Sequence, residues 1–360
     1  MMVEKKYISF EPWLGGFSNV RMSYELAIAI SIITNRTIIL PPKVFCHFLS
    51  CHKVLNKNSF IDIWDFLDRE KFISNILCED YYNLFEYKHL ENEKQYFENV
   101  NNIAKCIIFE SKDVGWFPNS PIKNNQILTC DIIDQTDFDQ FSKNRDIVNL
   151  NLEEKFIHFP RNLFGHFYYH IYGKSTNDRN LIKDKIKNSI VYKKEFYDLR
   201  NNIKYKLGNY NSIHIRRNDF VYVRKDFVDY QTKNLLSNLL EKIPTDIPLY
   251  IASDETNMSY FEELKRHYNI FFISDFYKDL CLQKSLVVDQ LVCVESEIFL
   301  GSRLSTFSDY INILRGYENK LDFHRIGTNF SLPILKYNKY PWEVESYKWE
   351  NIHKYCWTHE

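Results

Sequence analysis

Glycine is scarce here, with nine in 360 residues. Asparagine, lysine, isoleucine, tyrosine and phenylalanine are plentiful, a compositional bias against which any pair of glycines is informative. Excess charge is missing as well: 46 basic residues against 47 acidic leave a net charge of −1. Such a chain has no global field to draw nucleic acid or an anionic membrane, and no basic stripe with interleaved aromatics stands out. The longest candidate membrane stretch, around Ala27–Ile33, falls far short of the ~20 apolar residues that span a bilayer. The first eight residues carry charge and no apolar h-region, so no signal peptide is expected. Eight cysteines are scattered without framework spacing, which reads as reduced thiols and a cytoplasmic location. Internal repeats and low-complexity tracts are absent.

What is present is an alternation of strands and helices. At this length two domains of roughly 150–200 residues are expected: 1–190, 191–335, and a Trp- and Tyr-rich tail, 336–360, that docks on the body. Lys6–Phe10 alternates like a strand, residues 19–35 carry helical apolar spacing, and Thr37–Leu40 reads as a strand stopped by Pro41-Pro42. Strand, glycine turn, helix, strand opens a βαβ unit. Residues 43–155 are less regular, with a short helix expected at 61–67 and a buried strand at 105–109. The stretch 156–172 is strongly aromatic and suits a cleft lining, the domain junction or plain core. A Lys/Asn-rich run at 174–189 precedes a helix at 193–205. Strands then follow at 211–216, 248–252, 270–274 and 297–301, with helices at 230–242, 256–268, 282–294 and 306–316. This pattern predicts an α/β fold with two doubly wound parallel sheets facing a ligand cleft.

Four segments could carry chemistry. Gly15-Gly16-Phe17-Ser18-Asn19 opens a helix, where two glycines and open amides favour an anion; the plainer reading is a turn with Ser18 or Asn19 as cap. It is not a G-x-G-x-x-G fingerprint, so no dinucleotide is inferred. Within Asn211–Val221, a strand delivers His214, Arg216, Arg217 and Asp219 into one turn. Either arginine could grip a phosphate through two parallel charge-assisted hydrogen bonds, and the alternative is an ion pair at a strand end. Ser253, Asp254 and Glu255 follow a strand and could hold a ribose or base, or cap a helix. Residues 301–308 set Ser305, Thr306 and Phe307 between a strand and a helix, a phosphate seat with an aromatic for a planar ring, or a cap with a core Phe. Asp289 lies one helix upstream.

In order and spacing these segments resemble the GDP-fucose-dependent fucosyltransferase superfamily, most closely the protein O-fucosyltransferases. The G-x-F-x-N turn matches Gly15 to Asn19, His-x-Arg matches His214 and Arg216, and the next arginine and acid match Arg217 and Asp219. Ala-Ser-Asp matches 252–254, the aspartate near the base matches Asp289, and the Ser-Ser/Thr-Phe loop matches Ser305, Thr306 and Phe307. The resemblance covers about 10–42 and 211–316. It implies a GT-B architecture with the nucleotide on the second domain, and an inverting transfer from GDP-fucose to a hydroxyl of a glycan, peptide or small molecule. No metal or cofactor is implied. Arg216, helped by Ser305, Thr306 and helix amides, would neutralise the departing diphosphate, and His214 would contact the nucleotide. Asp289 would accept from the purine edge, Phe307 would support the nucleotide by packing, and Asn19 would lie against the sugar–phosphate bridge.

The sequence departs from this pattern where a base is wanted. Some relatives carry a glutamate two residues before the turn's phenylalanine and others an arginine just before it; Gly15 and Gly16 stand there in this chain. Asp219 or Glu11 is then the candidate base, or none is needed. The quoted motifs touch the nucleotide and not the sugar, so another donor such as GDP-rhamnose, or an idle nucleotide-sugar-binding protein, stays open at this point. Asp137-Phe-Asp139 and the Cys46-His47/Cys51-His52 cluster lack the setting or the second ligand pair of a metal site. Asn35-Arg-Thr is a sequon in form only.

Overall fold

The computed structural model describes residues 5–12, 16–41, 44–45, 60–80, 105–110, 127–131, 154–159, 163, 176–217, 220–223, 225–302, 305–318, 320 and 323–326. The chain divides after Val191 into two compact units. No helix among the described residues is long and apolar enough to cross a membrane.

The first unit is built on a six-stranded sheet. Its strands are β1 (Tyr7–Phe10), β2 (Thr37–Leu40), β5 (Cys78–Asp80), β6 (Lys105–Glu110), β7 (Ile127–Asp131) and β8 (Phe156–Phe159). A separate antiparallel pair joins β3 (Val44–Phe45) to β4 (Phe60–Ile61). The sheet order is β5-β2-β1-β8-β6-β7, and every neighbouring pair is parallel. The chain steps outward from β1 to β2 to β5, crosses to β6 and β7, and returns as β8. The order therefore reverses between β1 and β8. Period-2 alternation sorts β1: Phe10 turns its ring edge-on to Tyr24 of the helix Phe17–Thr34, 5.0 Å away, so Tyr7 and Ser9 occupy the other face. That helix ends on Asn35 at φ 49°, a left-handed position an asparagine accepts more readily than most residues.

The second unit has a five-stranded sheet of β9 (Asn211–Ile215), β10 (Leu249–Ser253), β11 (Ile270–Phe271), β12 (Phe299–Ser302) and β13 (Phe323–Ile326). Its order is β11-β10-β9-β12-β13, parallel throughout. Register separates the faces. Ser212, His214, Tyr250, Ala252, Phe299 and Gly301 share one, and Ile213, Ile215, Ile251 and Leu300 share the other. The second set packs with Leu235, Leu239 and Leu264 into a buried apolar cluster. Those leucines come from the helices Lys225–Lys242 and Glu262–Lys265. The opposite face belongs to the helices Leu282–Glu295 and Thr306–Tyr317, buried along most of their lengths.

Four expectations change. The strand read at 270–274 ends at Phe271 and gives way to a 3-10 turn, Ile273–Asp275. The helix read at 61–67 is a 3-10 turn, Ile63–Asp65, followed by a helix at Arg69–Asn75. Asp62 caps the first through the Trp64 amide and Asp68 caps the second through the Lys71 amide, so one apolar run becomes two starts. The helix read at 256–268 shrinks to Met258–Phe261 and Glu262–Lys265, because Asn257 caps late. The polar run 174–189 folds as the helix Thr176–Ser189, anchored by buried Ile182 and Ile186, four residues apart. Within the aromatic stretch 156–172, Phe156–Phe159 is an interior strand; of the remainder only Leu163 lies among the described residues. The Cys46/Cys51 cluster, Asp137 and Asp139, and the tail 336–360 lie outside them.

Candidate active site

The carboxyl end of β9 gathers most of the singled-out residues of the second unit. His214 is buried, and its Nδ1 lies 2.7 Å from the Ser308 hydroxyl. Its ring sits 4.6 Å from that of Phe307. Burial, reinforced by the charge of Arg216, pushes the imidazole down to about 3. It is therefore neutral near pH 7, a hydrogen-bonding group and not a second cation.

This closeness depends on Gly301. A Cβ there would lie 2.8 Å from Ser308 Cβ and 3.0 Å from its hydroxyl. Without one, β12 and the helix Thr306–Tyr317 approach near enough for Ser308 to reach across to β9. Ser305 is that helix's N-cap, and its side chain makes no capping hydrogen bond. First-turn amides of a helix have no intrahelical acceptor, so the segment Ser305–Phe307 presents donors and the positive end of the dipole to one spot.

Arg216 follows the strand and is aimed from two sides. Its Nη1 donates to Asp254 Oδ2 at 2.5 Å, and its guanidinium lies 5.4 Å from the Phe220 ring. Its backbone amide donates to Ser302 Oγ at 2.9 Å. Ser302 in turn contacts the His214 carbonyl at 2.9 Å and the Gln231 side chain at 2.8 Å. Both Ser302 and Gln231 are fully buried. Asp254 Oδ1 also accepts the Arg217 amide at 2.8 Å. Asp254 is therefore an orienting carboxylate for the two arginines and not a helix cap; Asn257 holds that position.

Arg217 turns elsewhere. It donates to Glu255 and Thr232 at 2.5 and 2.8 Å and stacks on Tyr260 at 4.0 Å. Burial raises the Glu255 carboxyl, but the Asn257 amide and Arg217 outweigh it and leave the group below its ordinary value. These three partners tie the Arg217 side chain to the β10 side of the turn.

Asp289 is set back from the rim. The Tyr250 hydroxyl donates to its Oδ1 at 2.5 Å. Tyr250 pairs with Ser212, two residues before His214 and so about 7 Å toward the amino end of the sheet. Burial pushes the Asp289 carboxyl up to about 7, with the Tyr250 hydrogen bond pulling the other way.

In the first unit, Gly16 is the N-cap of the helix Phe17–Thr34 and its carbonyl accepts the Asn19 amide at 2.9 Å. Phe17 packs its ring on Phe66, 5.0 Å away. Asn19 Oδ1 is buried with no hydrogen-bond partner among the described residues. Gly15 and Asp219 lie outside those residues.

Sequence reading missed Ser302 and Gln231 as positioning groups. Gln231 had a signal: it interrupts the stripe Phe227, Val228, Leu235, Leu239 at helical spacing, and a polar residue buried on such a stripe needs a partner.

The sequence matches the family described as GDP-fucose protein O-fucosyltransferase over residues 7–318. No curated protein matches it. Among solved structures it is similar to POFUT1 in complex with GDP-fucose, at 12% identity and TM-score 0.53, covering 91% of this chain and 99% of that one. The complex of POFUT1 with GDP gives 12% identity and TM-score 0.52, over 91% and 100%. The fucosyltransferase NodZ from Bradyrhizobium gives 12% identity and TM-score 0.48, over 87% and 94%. The fold is α/β of the GT-B kind, with a parallel sheet in each unit. Spanning both sheets, the family match places the chain in the GDP-fucose protein O-fucosyltransferase family, as a glycosyltransferase that moves fucose from GDP-fucose.

Proposed function

We propose that the transfer inverts the anomeric centre and is driven by Arg216, with an acceptor hydroxyl on a glycan, peptide or small molecule. In this reading the bond between fucose C1 and the β-phosphate oxygen breaks, and its electron pair leaves with GDP. The acceptor oxygen forms the new bond to C1 from the opposite face and gives up its proton. Without a metal in the reaction, the charge arriving on the diphosphate falls to Arg216 and the amides at Ser305–Phe307. Preorganised charge of this kind is usually the largest single contribution to such a step. A guanidinium carries five donors, so Arg216 can hold Asp254 and a phosphate together. Neutral His214, fixed by Ser308, contacts the nucleotide, and Phe307 supports it by packing.

The observation that carries this reading is the double hold on Arg216, through Asp254 at its side chain and Ser302 at its amide. Two residues committed to aiming one arginine at a strand rim, Ser302 fully buried and Asp254 half-buried, suit a phosphorylated leaving group. Release of GDP from GDP-fucose tests it. Arg216→Ala should lower turnover about 10²–10³-fold, the usual scale for losing one preorganised donor. Its far-ultraviolet circular dichroism should stay that of the wild type. Near-wild-type turnover would remove the role. Unchanged activity after chelator treatment is expected, and GDP binding that excludes UDP would separate this donor class from others.

A further inference from the structure

At the carboxyl end of the second sheet the pairing of β9 with β12 ends early, and two buried side chains take over. The chain steps outward from β9 to β10 to β11, then crosses to β12 and β13, so the order reverses between β9 and β12. Open α/β sheets take ligands outside the carboxyl ends of strands at such a point. β9 stays paired with β10 as far as Ile215 and Ser253. With β12 its pairing stops at Ile213 and Leu300.

Beyond that rung, side chains replace the ladder. The Arg216 amide donates to the Ser302 hydroxyl at 2.9 Å, and the same hydroxyl lies 2.9 Å from the His214 carbonyl. Gln231 Oε1 is 2.8 Å from that hydroxyl, and Gln231 Nε2 donates to the Arg216 carbonyl at 3.4 Å. Arg216 is thus held at both its N–H and its C=O, by a hydroxyl and a carboxamide that also meet each other. Thr232, the next residue of the helix Lys225–Lys242, accepts from Arg217 Nη1 at 2.8 Å. Consecutive residues of one helix therefore hold consecutive arginines, the first by its backbone and the second by its side chain.

Packing does not ask for a carboxamide at 231. Gln231 is fully buried, on the same helix stripe as buried Phe227, Val228 and Leu235. An apolar residue of similar volume would avoid the cost of desolvating an amide there. A buried carboxamide is tolerated only while its donor and acceptor are engaged, and here they engage Arg216 and the hydroxyl that holds Arg216. The cost falls on fixing one peptide.

We propose that Gln231 and Ser302 are positioning residues for the transfer, fixing the peptide from which the Arg216 guanidinium reaches the leaving diphosphate. The inference rests on the role given to Arg216 above and carries it from the side chain to the backbone behind it. An ångström of misplacement at a reacting group costs up to about a hundredfold in rate. A peptide released at both its N–H and its C=O can move that far.

The test is a double-mutant cycle on the full chain, read as single-turnover release of GDP from GDP-fucose in water. Gln231→Met nearly keeps the volume, removes both hydrogen bonds and leaves the Ser302 hydroxyl its His214 acceptor. Its GDP release should slow about ten- to a hundredfold. Its calorimetric affinity for GDP-fucose should stay within about threefold, the mark of a loss felt in the transition state. In the Arg216→Ala background the same substitution should change GDP release less than about twofold, since no guanidinium is left to place. A residue that only supports the fold would slow both backgrounds alike. Ser302→Ala enters the same cycle if Gln231→Met does not fold, with the same loss expected and the same disappearance of it beside Arg216→Ala. Wild-type GDP release by the folded variant, or an equal loss in both backgrounds, overturns the proposal. Near-wild-type release by Arg216→Ala alone would instead overturn the role of Arg216, and failure of the wild type to bind GDP-fucose would overturn the fucosyl-transfer reading.

Discussion

Each sheet carries a buried histidine near the carboxyl end of a central strand, and the two are tuned differently. His214 has a hydroxyl on one side and an arginine two residues on, so it stays uncharged while Arg216 supplies the positive charge. His158 has the Ser9 hydroxyl at Nδ1 and the Glu11 carboxyl group at Nε2. The group beyond the ring is a guanidinium in one sheet and a carboxyl in the other. An imidazole takes its role from the group on its far side, and sequence alone shows only that both are histidines.

Among changes at the rim of the second sheet, the largest effect is expected at Arg216. Arg216→Lys should lose nearly as much turnover as Arg216→Ala, because an ammonium cannot reproduce the planar fork that holds a carboxylate and a phosphate. A lysine variant with wild-type GDP release would reduce the cationic rim to bare charge.

Next comes Asp254→Asn, which keeps the shape and removes the charge facing both arginines. Misplacing a reacting group by an ångström costs up to about a hundredfold, so kcat should fall about ten- to a hundredfold while KM for GDP-fucose changes little. A change in KM alone would make Asp254 a ligand-binding residue and not an orienting one.

Gly301→Ala tests the neutral side of the contrast. Its Cβ would push Ser308 off His214, and overpacking of this kind costs about 1–3 kcal/mol. A lowered melting temperature together with weakened GDP binding is expected; a normal melting temperature would show that the helix start yields freely.

The smallest effect is in the pH dependence of stability. Folding lowers His214 from 6.5 to about 3. The unfolded chain then binds more protons across that window, and stability present above pH 6.5 is lost as pH falls. Asp289 runs the other way, raised from 3.8 to about 7, so its contribution is lost as pH rises through that window. Asp289→Asn should therefore raise the melting temperature more at pH 8 than at pH 5. Equal shifts at both values would mean that the carboxylate is better solvated than its burial implies.

Much of the second unit was legible because its strands carry strong local signals. Asn211–Ile215, Leu249–Ser253 and Phe299–Ser302 are short β-branched or apolar runs, each followed within a few residues by a turn or cap. Asp254 was legible as a site residue but not in its role, since Ser-Asp after a strand reads equally well as a cap until Arg216 is seen opposite. The first unit was less readable. β8 hid inside an aromatic stretch, because period-2 alternation in Phe-Ile-His-Phe is invisible when both faces are buried. The Glu11–His158 pairing spans 147 positions, a separation no local pattern encodes. Helix starts at 69 and 258 were set by single capping side chains, a local competition that apolar spacing does not register.

The arrangement behind Arg216 has a practical reach. Ser302 meets Gln231 on the rear layer of the sheet, on the same helix as Leu235 and Leu239 of the apolar cluster. Mutations buried in that rear layer can thus retune catalysis while leaving the pocket chemically untouched, and a screen confined to pocket residues would overlook them.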